Sequence, residues 1–311
     1  MVVDCRSRVL PSPERAPTQV DAVFIDLIRQ AAELPSALLE LSQLLRDPDV
    51  QIRQVVSLVG TDPVLSARFL RVANSAAVGR GKITSLQKAV VLLGFSQVWL
   101  LVNQMLTSRS MMPIARLDEA EMRSLWRHAA ASSTCARHLM THLNHLQDPK
   151  APTVLTCALL HDVGKFFLRG IHRGRDGNGE GGKEEREEIL PVEIENRRHA
   201  IDHCRLGYLL TTYWKLPEEI CTSIAYHHHL AFANHGDVPG HVREVVTLVM
   251  LSDYLANVCG YSDGADLTYR LPESVFEVIG FKGSWRNLVT PALMKELKRT
   301  ALLIDHASDA A

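Results

Sequence analysis

From Asp21 onward, apolar residues recur every three or four positions in one segment after another. FIDLIRQAAELPSALLELSQLLRD sets the pattern, and no stretch longer than four residues alternates apolar with polar. A chain patterned this way builds helices joined by short loops, so the expected fold class is all-α. Pro35 opens a new helix after Leu34. DPDVQIRQVVSLVG predicts a helix from about Val50 to Val59, with Asp49 as N-cap and Gly60 as stop. In DPVLSARFLRVANSA, Asp62 caps and Pro63 takes the first helical position. Val64, Leu65, Phe69, Leu70 and Val72 form its apolar stripe. GRGKITS is a turn, Ser85 caps LQKAVVLLG, and FSQVWLLVNQML follows.

This reading divides the chain into four parts. Residues 1–17, rich in Pro, Ser and Arg, form a loose tail. Residues 18–110 form an N-terminal helical subdomain, and 111–118 a bend. Residues 118–260 hold a second helical set, beginning with the long helix EAEMRSLWRHAAASSTCARHLMTHL. APTVLTCALLHDVGKFFL reads as one further helix. RGIHRGRDGNGEGGKEEREE, residues 169–188, has six glycines and one large aliphatic residue, which predicts a mobile loop. Residues 261–311 supply a C-terminal helical extension.

Composition excludes more than it selects. The 34 basic and 35 acidic residues leave a net charge of -1, which gives no support for direct nucleic-acid binding. The six cysteines contain no CxxC pair and suit a reducing cytoplasm. No secretion signal opens the chain, and the most hydrophobic stretch, Ala89 to Met105, carries Gly, Ser, Gln and Asn. It predicts a buried helix rather than a membrane span. Histidine is the outlier: 14 residues, crowded after position 127.

LLHDVGKFF breaks an apolar run with His161, Asp162 and Lys165. Adjacent on a helix, His161 and Asp162 sit about 100° apart, and together they can bind one metal or bridge two. Imidazole and carboxylate donors suit iron, manganese, zinc or magnesium. Gly164 can supply a left-handed helix exit, and Lys165 can meet a phosphate oxygen. His128, His203, His227, His228 and Asp253 recur on other apolar helices. Singly, each also reads as a cap, a solvated face or a satisfied core group. Jointly they point to a metal site, because a buried carboxylate needs a partner.

These segments carry a resemblance. From Leu34 to Ala256 the chain resembles the HDOD family, the HD-related output domain of bacterial signalling proteins. LPSALLELSQLLRDPDV, TDPVLSARFLRVANSA, ITSLQKAVVLLG, ALLHDVGK and HCRLGYLLTTYWKLPEEICTSIAYHH carry the match. It implies an N-terminal helical subdomain packed on an HD-type bundle. Members commonly lack the metal residues and serve as non-catalytic signalling modules, whereas this chain keeps them. His128, His161, Asp162, His203, His227, His228 and Asp253 resemble the binuclear centre of the HD-GYP phosphodiesterases, which cleave cyclic di-GMP. There two metals activate a hydroxide for attack on phosphorus, which implies catalytic roles for Asp162 and Lys165. The resemblance implies one or two divalent ions, iron or manganese foremost, with zinc, magnesium and nickel open. HHHLAFANHGDVPG, however, lacks the GYP stretch, and His229 stands where those enzymes have glutamate. In the first half, Asn74 and Ser75 match the family, with Asn74 a structural polar residue. Arg68 and Arg71 read as exposed, and Trp99, Trp126 and Trp214 as core.

Two functions follow. One is a regulatory binding module, with a walled-off metal site and a signalling-protein partner. The other is a metal-dependent phosphohydrolase acting on a nucleotide or cyclic dinucleotide, with an open cleft and Lys165 aimed into it.

Overall fold

The computed structural model describes residues 117–143, 150–175, 191–229 except 215, 237–263, and 271–308 except 272 and 282. In the N-terminal half it describes 18–19, 21–22, 24–25, 44, 50–59, 69–70, 72–74, 83–95, 97–98 and 100–101. Among these residues every regular element is helical, as the spacing predicts, and no helix is long and apolar enough to cross a membrane. Asp49, Gly60, Asp62, Pro63, Arg68, Arg71, Ser75 and Trp99 lie outside the described residues.

In the N-terminal half, α1 (Ile52–Val59) and the helical residues of 69–73 and 86–101 share one core of Val55, Val59, Phe69, Val72, Ala89, Val90 and Leu101. Asn74 ties the two segments together: its amide donates to the carbonyls of Leu70 and Ile83, and its oxygen accepts from the Ile83 amide, at 2.6–2.7 Å. It is thus the structural polar residue the sequence suggests.

The second half is built around α2 (Glu119–His142). A capping box starts it, with Asp118 accepting from the Glu121 amide and Glu121 reaching back to the Asp118 amide. Its middle is Ala129–Ala130–Ala131–Ser132–Ser133–Thr134–Cys135–Ala136, all buried. Small side chains there let neighbours approach on several sides. α3 (Ala151–Leu160), α8 (Arg243–Val258) and α10 (Pro291–Ser308) all pack on it. α4 (Val163–Arg175), α5 (Pro191–His199), α6 (His203–Tyr213), α7 (Glu218–Tyr226) and α9 (Glu273–Val278) complete the half. Trp126 and Trp214 are core residues, as expected. α10 contributes Leu303 to the N-terminal core and Ile304 to the core around Trp126, so it joins the two halves.

Three local expectations change. APTVLTCALLHDVGKFFL is two helices, α3 and α4, with His161 and Asp162 in the turn between them. Gly164 is not left-handed. A Cβ there would stand 2.1 Å from the His203 carbonyl oxygen and 2.9 Å from the Gly207 amide nitrogen, so glycine is required by close approach of α4 to α6. The segment expected to be a loop from 169 is helical through Arg175. Arg169 is tied to Asp263 at 2.7 Å, which extends the helix into a stretch that composition alone reads as coil.

Gly164→Ala should therefore destabilise the chain by roughly 1–3 kcal/mol, the usual range for overpacking. Gly207→Ala meets only the Ile224 Cγ2 methyl at 2.9 Å, which can shift, and should cost less. Urea unfolding of the two variants checks the order.

Candidate metal centre

Five elements deliver the donors. α2 carries His128, the α3–α4 turn carries His161 and Asp162, and α6 begins with His203. His227 and His228 follow the end of α7, and Asp253 lies on α8. Asp202 fixes the start of α6 by accepting from the Arg205 amide at 2.8 Å. All seven predicted donors come together, each at most 6% exposed.

They form two sets that meet at Asp162. On one side, His128 Nε2 lies 3.2 Å from His161 Nε2, 3.3 Å from Asp162 Oδ2 and 3.0 Å from Asp253 Oδ1. On the other, His203 Nε2 lies 3.4 Å from His227 Nε2 and 3.3 Å from Asp162 Oδ1. His228 joins this second group, its ring 4.1 Å from that of His227.

The outer ring nitrogens fix the tautomers. His128 Nδ1 donates to the Tyr261 carbonyl at 2.8 Å, His161 to Ala158 at 2.9 Å and His227 to Ile224 at 2.7 Å. A carbonyl only accepts, so Nδ1 holds the proton and the Nε2 lone pair points inward. His203 does the same toward Glu195 Oε2 at 2.6 Å. Four inward lone pairs and two carboxylates are a donor set, and outer partners of this kind orient metal-binding histidines. Donors held about 2.0–2.2 Å from one cation stand about 2.8–3.6 Å apart, close to the spacings seen. Asp162 Oδ1 is buried and meets no hydrogen-bond donor among the described residues. The residues fit a divalent ion.

Without a cation, protons take over part of that role. Burial pushes the His128 ring down, but Asp162 and Asp253 outweigh it and hold it at about 10. The same contest sets His161 at about 9. Burial, reinforced by neighbouring imidazoles, keeps His227 well below the usual range and His228 at about 3. Asp162 and Asp253 are held far below the usual carboxylate range despite burial, by His161 and Lys165 around the first and His128 and His161 around the second.

Lys165 sits at the edge, its side chain 11% exposed, with Nζ 2.7 Å from Asp162 Oδ2 and 3.1 Å from Asp263 Oδ2. Burial opposes its charge, yet Asp162 and Asp263 hold it above the ordinary lysine range. His229 is buried with its ring 4.8 Å from Tyr226. Three participants escaped the sequence reading. Glu195 lies eight residues before its partner, a spacing with no helical meaning. Asp263 lies beyond the C-terminal end of α8. Cys204 reads as small and apolar, but its Sγ is 3.6 Å from His203 Nε2 and it belongs to the second donor group. Its position directly after a candidate ligand was the available signal.

An all-helical fold with this buried imidazole–carboxylate cluster defines an HD-type domain. The model of the HDOD domain matches residues 31–230, and the chain belongs to that family. An uncharacterized protein of Treponema pallidum (strain Nichols) is 27% identical over 217 residues, 70% of this chain but 41% of that protein. The chain therefore spans about two fifths of that relative's length. Among solved structures, an HDOD domain protein of unknown function from Geobacter sulfurreducens aligns with a TM-score of 0.66 at 23% identity, over 92% of this chain and 98% of that one. A candidate signal transduction protein from Marinobacter aquaeolei aligns at 0.64 and 20% identity, over 95% and 62%. A candidate phosphohydrolase from Shewanella amazonensis aligns at 0.60 and 18% identity, over 92% and 98%.

Two outcomes follow. In the metal-free chain Asp162 and Asp253 favour the protonated rings of His128 and His161, raising them to about 10 and about 9 from the ordinary 6.5. A cation must displace those protons, so metal affinity should rise with pH through neutrality and level off near pH 9–10. Chelator competition across that range measures it. Glu195→Gln should weaken metal binding about 10–100-fold by releasing His203. Competition against the same chelator reads that loss directly.

Proposed function

We propose that the chain is a regulatory binding module whose HD half holds a divalent metal pair and which acts through a signalling-protein partner. The observation that carries this reading is burial. No donor exceeds 6% exposure, and Lys165, the residue suited to steady a phosphate, is itself 8% exposed and engaged by two carboxylates. A phosphohydrolase needs an open coordination position that substrate can reach. When bound, divalent ions supply Lewis acidity and lower the pKa of coordinated water. In this chain Asp162 would be shared between them, with its charge fixed by Lys165. Iron or manganese suits the nitrogen–oxygen donors, and Cys204 beside the second set leaves zinc open.

The second reading is a phosphohydrolase acting on a nucleotide or cyclic dinucleotide. It is favoured by retention of every donor, where a purely structural core would replace buried charge with apolar groups at little cost. The catalytic pair would then be Asp162 and Lys165, with Lys165 leaving Asp263 to meet phosphate.

Elemental analysis of protein purified without chelator or a nickel column, followed by a phosphodiester and nucleotide screen with the metal found, separates the two. The module reading expects about two equivalents of metal and no turnover. Replacing His161 and Asp162 together with alanine should remove that metal and leave the N-terminal half folded. Turnover lost in Lys165→Ala would give the enzyme reading precedence. Undiminished metal in the double variant would refute the site.

A further inference from the structure

A cleft of about 260 Å³ lies between α2, the turn after α8, and α10. Ser124 and Arg127 line it from α2, Tyr261 and Ser262 from the turn, and Lys298 and Asp305 from α10. Tyr261, one of its lining residues, accepts at its carbonyl from His128 Nδ1, while His128 Nε2 faces Asp162 and Asp253.

We propose that this cleft binds a small phosphate-class oxyanion, inorganic phosphate or a short phosphomonoester, and that the turn at 260–263 links its occupancy to the metal centre. The lining carries the Lys298 ammonium, the Arg127 guanidinium and the Ser124 hydroxyl, with Asp305 as its carboxylate. Asp305 Oδ1 holds Arg127 Nε at 2.5 Å, which orients the guanidinium at the cleft. Lys298 is exposed and makes no ion pair with a described residue. A planar guanidinium beside a mobile ammonium and a hydroxyl is the donor set that phosphate recognition uses. Size narrows the ligand. Pockets for drug-sized molecules run from about 300 to 1,000 Å³, so this cleft is matched in size to a phosphate with a few further atoms.

The link to the centre is physical. Tyr261 fixes the His128 tautomer, and two residues on, Asp263 pairs with Lys165 at 3.1 Å and Arg169 at 2.7 Å. A ligand that orders this turn therefore bears on both a metal donor and the lysine beside Asp162. The turn, Lys298 and Asp305 lie beyond residue 230, where the match to the family model ends, and Ser124 and Arg127 lie within it. The cleft's binding step does not depend on the metal reading and is tested without metal.

Calorimetric titration of the full chain, stripped by chelator and dialysed, with inorganic phosphate and with glycerol phosphate is the direct test. One site per chain is expected. Lys298→Gln should weaken it about tenfold, the loss of one charge-assisted hydrogen bond, while Lys298→Arg retains it. A higher affinity for glycerol phosphate would identify a phosphomonoester as the ligand, and equal affinities free phosphate. Bound phosphate should also slow amide exchange over 260–263. No saturable heat with either probe, or binding unchanged in Lys298→Gln, would overturn the proposal. Binding that leaves exchange at 260–263 unaltered would overturn the link to the centre.

Discussion

The centre depends on how closely α4 approaches α6. Gly164 lies against the His203 carbonyl at a distance no side chain tolerates. That approach places the Asp162 carboxylate between two groups of imidazoles, with Oδ2 toward His128 and His161 and Oδ1 toward His203 and His227. A larger residue at 164 would push the helices apart and separate the two groups. The small residues in the middle of α2 serve the same end from the other side, letting α3 and α8 close on His128.

Around that core runs a shell of hydrogen bonds whose effect is directional. Tyr261, Ala158 and Ile224 offer carbonyls and Glu195 a carboxylate, and each takes the outer proton of one ring. The inner nitrogens are left as acceptors around buried carboxylates. An assembly of this kind is costly to keep without a cation, because converging lone pairs and charges repel or must be protonated. The raised His128 and His161 and the depressed His227 and His228 are two consequences of that one constraint.

Much of this was legible in the sequence. The helical class follows from spacing alone, and the seven candidate donors stand out because histidine and aspartate interrupt apolar runs that otherwise have no use for them. The partners of those donors were not legible. Glu195 and Asp263 meet their targets only after five helices have packed, and no local periodicity encodes that. Gly164 was read as a conformational device when its role is steric, since sequence does not reveal which backbone will pass beside a glycine. Composition predicts coil from residue 169 onward, whereas α4 runs through Arg175, with Arg169 tied to Asp263 near the start of that stretch.

The account rests on Asp162 serving both donor groups at once. Anomalous diffraction from crystals of the metal-loaded protein tests this most directly. It should show two peaks about 3.5–4 Å apart, one beside His128, His161 and Asp253, the other beside His203, His227 and His228, with an Asp162 oxygen on each. A single peak served by one group alone, or two peaks with Asp162 bound to neither, would contradict it.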